Sequence, residues 1–324
     1  ISTIPTIFLG APDPSTAASI LPGHKLLLEG RGFEAVVLIT VGSLCSLILA
    51  LALTPILILF SQSIYNAINS SIGYILIISC IILILKEKKS KLFALITFLL
   101  SGALGIATLN LPVKEPLFPL FSGLFGISSL IFSLKSETDL PPQSITTPEI
   151  EANKGLSAIF LSVIAGCICS FLPGLGPSQA AALSSSFTKQ LTGKYFLMII
   201  GGLNTVNIVI SFVALYTINK SRSGAVVAVS KLLDSFGLKE LLLFLATTLL
   251  VAGISTILTL KLSKLSLSLI EKINYTTLCL TTMIFITGLV IIISSWLGLL
   301  ILIISTALGI LPQLKGTNRN NLMF

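Results

Sequence analysis

The sequence is poor in charged residues, with 20 Lys and Arg and 12 Asp and Glu among 324 residues, or 10%. A soluble domain carries about 25% charged residues, because its surface must be hydrated. So few charges exclude a soluble enzyme, a DNA-binding domain and a disordered regulator. Hydrophobic residues make up 54% of the chain, and the mean hydropathy is +1.04. The composition therefore predicts an all-α polytopic protein of the cell membrane that binds no nucleic acid.

The residues used for acid–base catalysis and metal binding are also scarce. Histidine occurs once, at position 24, and the sequence contains no GxSxG motif. Cys167 and Cys169 are separated by one residue, and no other metal ligand lies near them in the sequence. We predict no catalytic residue, no metal site and no cofactor other than a coupling cation. A membrane enzyme or a scaffold without transport activity is the less favoured alternative, because the spans lack a paired acid and base.

Long charge-free stretches predict eight full membrane spans, because a helix needs about 20 apolar residues to cross a bilayer. Two stretches hold two spans each. Residues 35–85 are predicted to turn at the polar segment 61–71, and residues 273–314 near residues 294–296. The other predicted spans are residues 92–113, 116–134, 195–219 and 241–260.

Residues 155–190 are predicted to form a re-entrant helical hairpin, which enters and leaves on the same side of the membrane. The stretch is free of charge from 155 to 188 but contains the sequence PGLGP at 173–177. Two prolines and two glycines in five residues cannot continue a helix. With this hairpin, 15 of the 20 basic residues fall on one side, which is therefore predicted to be cytoplasmic.

The order of the elements predicts an inverted-topology repeat, the common plan of secondary transporters. A piece broken by proline or glycine and followed by a crossing helix occurs at the start of the chain and again at residues 223–260. The two pieces begin on opposite sides of the membrane. We divide the chain into a first repeat (1–134), a cytoplasmic loop (135–154) and a second repeat (155–324).

The hairpin is the first candidate for a binding site. Proline suits the first position of a helix, and glycine allows a close approach of backbone to ligand. A helix that begins at Pro177 would direct free N–H groups into the membrane and bind an anion without a buried Lys or Arg. The alternative is a kinked helix pair packed through small residues. We predict that the substrate contacts Pro173, Gly174, Gly176, Pro177, Ser178 and Gln179.

Two further groups of polar residues are candidates. In the sequence GAPDPST, the hydroxyls of Ser15 and Thr16 are predicted to join the substrate site. Asp13 is predicted to bind the coupling ion, Na⁺ or H⁺, because ionisable groups within membranes are usually functional; its alternative is a helix cap. Asn204 and Asn207 lie three apart on one helix face and are also predicted to serve ion coupling, with interhelical hydrogen bonds as their alternative.

Three segments resemble a known family. The hairpin sequence PGLGPSQAAALSSSFTK resembles the glycine-proline hairpin of the large membrane subunits of tripartite tricarboxylate transporters, the TctA-like proteins. The segment IFLGAPDPSTAASILPGHKLLLEGRGFEAVVLITVGS resembles the first-repeat block of that family. The segment LGILPQLKGTNRNNLM resembles the archaeal-type branch of the family near its C-terminus.

The resemblance implies a secondary transporter of an organic anion, a di- or tricarboxylate, that works by alternating access. It also implies a solute-binding protein or a small membrane subunit as partner. Membrane lipid and further copies of the chain, as a homo-oligomer, are the other partners that we predict. A lipid-phosphate translocator is the second reading, because a helix start suits phosphate equally well. Family members have a first hairpin ahead of the position of Ile1 and residues after the position of Phe324. We therefore expect the sequence to be shortened at both ends.

Overall fold

The structure, a computed structural model, describes most of the chain. These residues are 3–8, 20–69, 72–85, 87, 90–135, 141–171, 176–177, 180–181, 184, 193–220, 223–233, 235–270, 275–317 and 319–322. All regular secondary structure among them is helical. The longer elements are α1 (Thr3–Phe8), α2 (Ile20–Leu28), α3 (Gly32–Asn69), α4 (Ile72–Leu85), α5 (Lys91–Leu109), α6 (Leu117–Phe121), a π-helix (Ser122–Ile127), α7 (Ser128–Lys135), α8 (Ala152–Phe171), α9 (Lys194–Ile218), α10 (Gly224–Leu232), α11 (Leu238–Ile270), α12 (Tyr275–Lys315) and a 3₁₀ turn (Arg319–Leu322).

The predicted all-α polytopic membrane protein is confirmed. Among the described residues, six helices are long and apolar enough to cross a membrane: α3, α5, α8, α9, α11 and α12. Eight full spans were predicted, and the differences have local causes. Helix α3 continues through residues 61–69 of the predicted turn segment and ends at Asn69, while residues 70 and 71 lie outside the described residues. The hydroxyl of Ser61 donates to Ile58 O of its own helix at 3.2 Å. Helix α4 has only 14 residues.

The predicted span 116–134 is a composite of α6, the π-helix and α7. Small residues explain the irregular middle. A Cβ at Gly123 would collide with the Ser305 side chain, and a Cβ at Gly309 would collide with the carbonyl of Leu124. The π-helix therefore lies in backbone contact with α12, at a distance that only glycine allows.

The predicted turn near residues 294–296 occurs as a kink inside α12. Ser295 has φ 58° and ψ −162°, a conformation that breaks the helical path. The hydroxyl of Ser294 donates to the carbonyl of Lys114 at 2.9 Å, which holds the kink against the loop after α5. Residues other than glycine are strained in this region of conformational space.

Replacing Ser295 by glycine is expected to raise the stability of the protein by about 1 kcal/mol, because glycine adopts this conformation without steric strain. The measurement is the melting temperature of the purified variant in detergent. Ser294→Ala is the contrasting change and should lower the melting temperature, since it removes the hydroxyl bond to Lys114. A lower melting temperature for Ser295→Gly would contradict the assignment of strain.

The chain divides into two compact units, each of which combines segments of both predicted repeats. The first consists mainly of Glu34–Ile78 and Thr147–Leu262. Its most buried helix is α9: 72% of the most apolar stretch of α9 is buried, against 11% for α11. The rings of Phe212, Phe236 and Phe244 stack with centroids 5.0–6.3 Å apart and fix the start of α11 to α9.

The second unit consists of Ser2–Phe33, Ser79–Thr146 and Ser263–Phe324. The guanidinium group of Arg319 closes its core. The group donates to Leu124 O at 2.9 Å and to the hydroxyls of Ser128 and Ser129 at 2.6 Å, and it lies over the ring of Phe125. Burial lowers the pKa of Arg319 to about 10, so the group stays charged at neutral pH.

The predicted inverted repeat and its boundaries at 134/135 and 154/155 stay predictions.

Candidate functional site

The predicted hairpin is described in part, on both sides of the sequence PGLGP. Helix α8 covers the predicted first arm and ends at Phe171; it is long and apolar enough to cross a membrane, and the re-entrant path stays a prediction. Gly176 is not helical and Pro177 is, which places a proline at the first helical position. The amide of Ala180 donates to Gly176 O at 3.0 Å, so the first turn of the second arm closes on Gly176. Ala181 and Ser184 continue this arm as buried helical residues.

Of the predicted substrate contacts in the hairpin, the structure describes only Gly176 and Pro177. Both are half-buried. Pro173, Gly174, Ser178 and Gln179 lie outside the described residues, as do Asp13, Ser15 and Thr16 of the segment GAPDPST. Their predicted roles stay predictions.

The segment GAPDPST, residues 10–16, lies outside the described residues, and only the helices on either side of it are described. Helices α1 and α2 precede and follow it, and both are short. A Cβ at Gly23 of α2 would come within 3.0 Å of the Ile7 side chain of α1, so these helices pack closely. Helices α1 and α2 therefore pack against each other, while residues 9–19 between them lie outside the described residues.

Asn207 connects α9 to the first arm of the hairpin. Its side-chain oxygen lies 2.8 Å from the hydroxyl of Ser170, the last residue but one of α8. The Ser170 hydroxyl also lies 2.7 Å from Gly166 O and shares its proton between the two acceptors. This contact is the interhelical hydrogen bond that was the alternative for Asn207. Asn204 lies one turn earlier on α9 with its side-chain oxygen buried; ion binding by either residue stays a prediction.

Helices α3 and α9 cross at two glycines. A Cβ at Gly42 would collide with the backbone of Met198, and a Cβ at Gly201 would collide with the carbonyl of Ile39. Next to this crossing, the hydroxyls of Ser43 and Thr205 form a hydrogen bond between the same two helices. The backbones of the two helices are therefore in direct contact here, at a distance that only small residues allow.

An ion pair at the start of these two helices was not predicted from the sequence. The Glu34 carboxylate lies 2.8 Å from the Lys194 ammonium, and its side chain is only 2% exposed. A signal was available, because each residue is the last charge before a long apolar run on the predicted cytoplasmic side. The two charges are far apart in the sequence, and nothing in either run points to the other.

The described part of the predicted substrate site is a helix start at Gly176 and Pro177. A helix start offers free N–H groups with partial positive charge. Within the part of the chain that the structure describes, no group of three or more His, Cys, Asp or Glu residues could hold a metal ion.

Comparison with known proteins decides the family. The whole chain, residues 1–324, matches the model of the tripartite tricarboxylate transporter TctA family. The chain belongs to the TctA family. This confirms the resemblance of the hairpin and first-repeat segments, together with the multi-pass membrane location. The archaeal-type branch stays a prediction.

One relative of this TctA-family protein is an uncharacterized protein, MJ1079, of Methanocaldococcus jannaschii. The two sequences are 34% identical over 270 residues. The match covers 82% of this chain and 66% of the relative, so the chain spans a little less than two thirds of that protein. No solved structure matches the chain significantly.

Proposed function

We propose that this TctA-family protein forms the translocation pathway of a secondary transporter for an organic anion, a di- or tricarboxylate, and works by alternating access. The observation that supports this most is the helix that starts at Gly176 and Pro177, inside a charge-free stretch of a membrane protein. A carboxylate at this start would be bound by backbone N–H groups and by the partial charge of the helix.

The absence of a basic residue at the hairpin suits transport better than storage or catalysis. Residues 155–188 contain neither Lys nor Arg. A buried cation would hold a carboxylate tightly and would have to be desolvated in every cycle. Backbone donors bind the anion less strongly and let it leave on the other side. Ser15, Thr16, Ser178 and Gln179 would add side-chain hydrogen bonds that select among anions.

The family name supports a transporter with three components. We infer that this chain works with a small membrane subunit and a solute-binding protein that delivers the anion. The proposed activity is not enzymatic, since the bound anion is moved without a change in its covalent bonds. We also propose that the chain contacts membrane lipid and further copies of itself in a homo-oligomer.

Uptake by proteoliposomes tests this function. The whole protein and its partners are reconstituted, and labelled citrate, succinate and inorganic phosphate are offered under a Na⁺ or a proton gradient. We expect gradient-driven uptake of a carboxylate and none of phosphate. Failure of every carboxylate to accumulate, together with gradient-independent movement of a labelled phospholipid between leaflets, would favour the lipid-phosphate translocator instead.

Asp13 is proposed to carry the coupling ion, with Asn204 and Asn207 as further ligands when that ion is Na⁺. Asp13→Asn is expected to lower gradient-driven citrate uptake by about 100-fold, because a neutral amide cannot release a proton or balance Na⁺. The readout is initial uptake with and without a gradient, at equal amounts of folded protein. Asp13→Glu keeps the charge and serves as control. Ion-dependent uptake by Asp13→Asn at the wild-type rate would leave Asp13 a helix cap.

A further inference from the structure

The buried guanidinium group of Arg319, in the second unit, has only neutral partners. Arg319 is 5% exposed, and within the part of the chain that the structure describes no Asp or Glu forms an ion pair with it. A buried charge without an opposite charge must be balanced by oriented dipoles. Two carbonyl and two hydroxyl oxygens take this role. These atoms, which we call the oxygen cluster, are Leu124 O, Phe125 O, Ser128 Oγ and Ser129 Oγ.

The π-helix makes the two carbonyls available. The amide of Ser128 donates to Gly123 O, five residues back, whereas in an α-helix it would donate to Leu124 O. Leu124 O accepts instead from the Ser128 hydroxyl at 2.6 Å. In the same way, the Ser129 hydroxyl donates to Phe125 O. The hydroxyl protons are thereby engaged, so the lone pairs of both hydroxyl oxygens are left to face a cation.

The oxygen cluster surrounds a charge and does not match the N–H groups of a guanidinium. The Nη2 atom of Arg319 has two hydrogens, yet three cluster oxygens lie 2.6, 2.9 and 3.3 Å from it. The Nε atom is buried and has no hydrogen-bond partner among the described residues. A metal ion has no N–H directions to satisfy and can contact all the surrounding oxygens. The ring of Phe125, with its centroid 5.6 Å from the guanidinium carbon, also attracts a cation.

The composition of the oxygen cluster favours a monovalent cation. Carbonyl oxygens released from regular helices coordinate Na⁺ in membrane transporters. Ca²⁺ and Mg²⁺ are bound mainly through carboxylates, and the cluster contains none. An anion would meet four acceptors and no free donor once the guanidinium group was removed. The chemistry of the cluster is therefore that of a site for Na⁺ or K⁺.

We propose that the oxygen cluster is a binding site for an alkali-metal cation and that Arg319 fills it as a cation tethered to the chain. The guanidinium group supplies the positive charge that a free ion would supply, so the packing of the π-helix is independent of the ion concentration. The two cations exclude each other, and a free ion takes the site when the side chain is shortened. This inference does not depend on the transport proposal, and the site is separate from Asp13.

Binding of radioactive Na⁺ to the purified whole protein tests the site. Arg319→Ala is introduced into Asp13→Asn, a background that lacks the carboxylate proposed for the coupling ion. We expect Arg319→Ala to bind about one Na⁺ more per chain than the background protein, because one cluster of oxygens holds one ion. Equal binding by the two folded proteins overturns the proposal.

Two controls locate the additional ion. Adding Ser128→Ala and Ser129→Ala to Arg319→Ala removes both hydroxyls of the cluster and should abolish the additional binding. Adding Thr97→Ala instead removes a buried hydroxyl of α5 that bonds only to its own helix, at Phe93 O and Ala94 O, and should leave the additional binding intact. Additional binding that survives the loss of both cluster hydroxyls overturns the proposal.

The melting temperature gives a second readout and distinguishes Na⁺ from K⁺. Arg319→Ala should melt at least about 3 °C higher in NaCl or KCl than in choline chloride of equal concentration, because an ion that binds only the folded state stabilises it. The salt that gives the larger rise identifies the ion, and the background protein should differ by less than about 1 °C. Arg319→Met, which keeps an unbranched apolar side chain, is measured in parallel. Equal melting of both variants in all three salts, or failure of both to fold in any of them, overturns the proposal.

Discussion

Replacing Gly176 by valine is expected to abolish anion binding while the protein stays folded. Gly176 is not helical, and its carbonyl accepts the first hydrogen bond of the second arm from Ala180. A branched side chain at this position would lie at the helix start and hold a carboxylate away from the free N–H groups. Affinity for citrate should fall by about 100-fold or more, equal to about 3 kcal/mol. The turn lines a cavity in this proposal, so the melting temperature should change little.

Two further variants make the result decisive. Ser178→Ala should weaken binding by about 1 kcal/mol, or up to about 3 kcal/mol if the hydroxyl meets a charged oxygen. Gly102→Val in α5, where nothing lies within 4 Å of an added Cβ, should leave binding unchanged. Affinity and melting temperature are measured on the same purified samples. A folded Gly176→Val protein with wild-type affinity would remove the hairpin from the substrate site.

Replacing Gly201 by alanine is expected to cause the largest loss of stability in the first unit. The added Cβ would overlap the carbonyl of Ile39 and lie 3.0 Å from the Cγ2 atom of that residue. A backbone carbonyl cannot rotate away as a side chain can, so α3 and α9 must separate along their crossing. The expected cost is about 3 kcal/mol or more, at the upper end of what overpacking costs. The measurement is the midpoint of unfolding in a denaturing detergent.

Gly105→Ala in α5 is the matched control, because nothing lies within 4 Å of its Cβ. Alanine is the better helix former by about 1 kcal/mol, so this variant should be as stable as the wild type or slightly more so. Gly42→Ala should repeat the loss seen with Gly201→Ala. The double variant should lose less than the sum, since the first substitution already separates the helices. Full additivity, or a harmless Gly201→Ala, would contradict the backbone contact described here.

Hydrophobic patterning predicted the long helices well, because an apolar run bounded by charges can satisfy its backbone hydrogen bonds in a membrane only as a helix. The span predicted at 195–219 is α9 at Lys194–Ile218. The same reasoning was less exact at residues 61–71, where polarity suggested a turn and α3 continues to Asn69. A serine can satisfy its hydroxyl on its own helix, as Ser61 does, and polarity then carries no signal for a break. The π-helix depends on glycines at its contact with α12, and the sequence around residues 122–127 does not show which helix packs there.

The features of the candidate site were also predictable from the sequence only in part. Pro177 at a helix start follows from the restricted geometry of proline, and the sequence alone predicts it. An interhelical hydrogen bond was foreseeable for Asn207, but its partner Ser170 was not, since spacing on one helix does not identify the residue opposite. The Glu34–Lys194 pair was not foreseeable, because it depends on the crossing of α3 and α9. The buried position of the Arg319 guanidinium group against the π-helix was not foreseeable either, because its partners lie far away in the sequence.

The bond from Arg319 to Leu124 O spans 195 residues of sequence and therefore bears on how the protein is made. A ribosome adds about 5–20 residues per second, so Arg319 emerges about 10–40 s after Leu124. During that interval the carbonyls of the π-helix lack their cationic partner, and Gly123 lacks the α12 backbone against which it packs. Until then Leu124 O has only its local partner, the hydroxyl of Ser128 at 2.6 Å. We therefore expect the π-helix to reach its final packing only when α12 and Arg319 arrive, late in assembly.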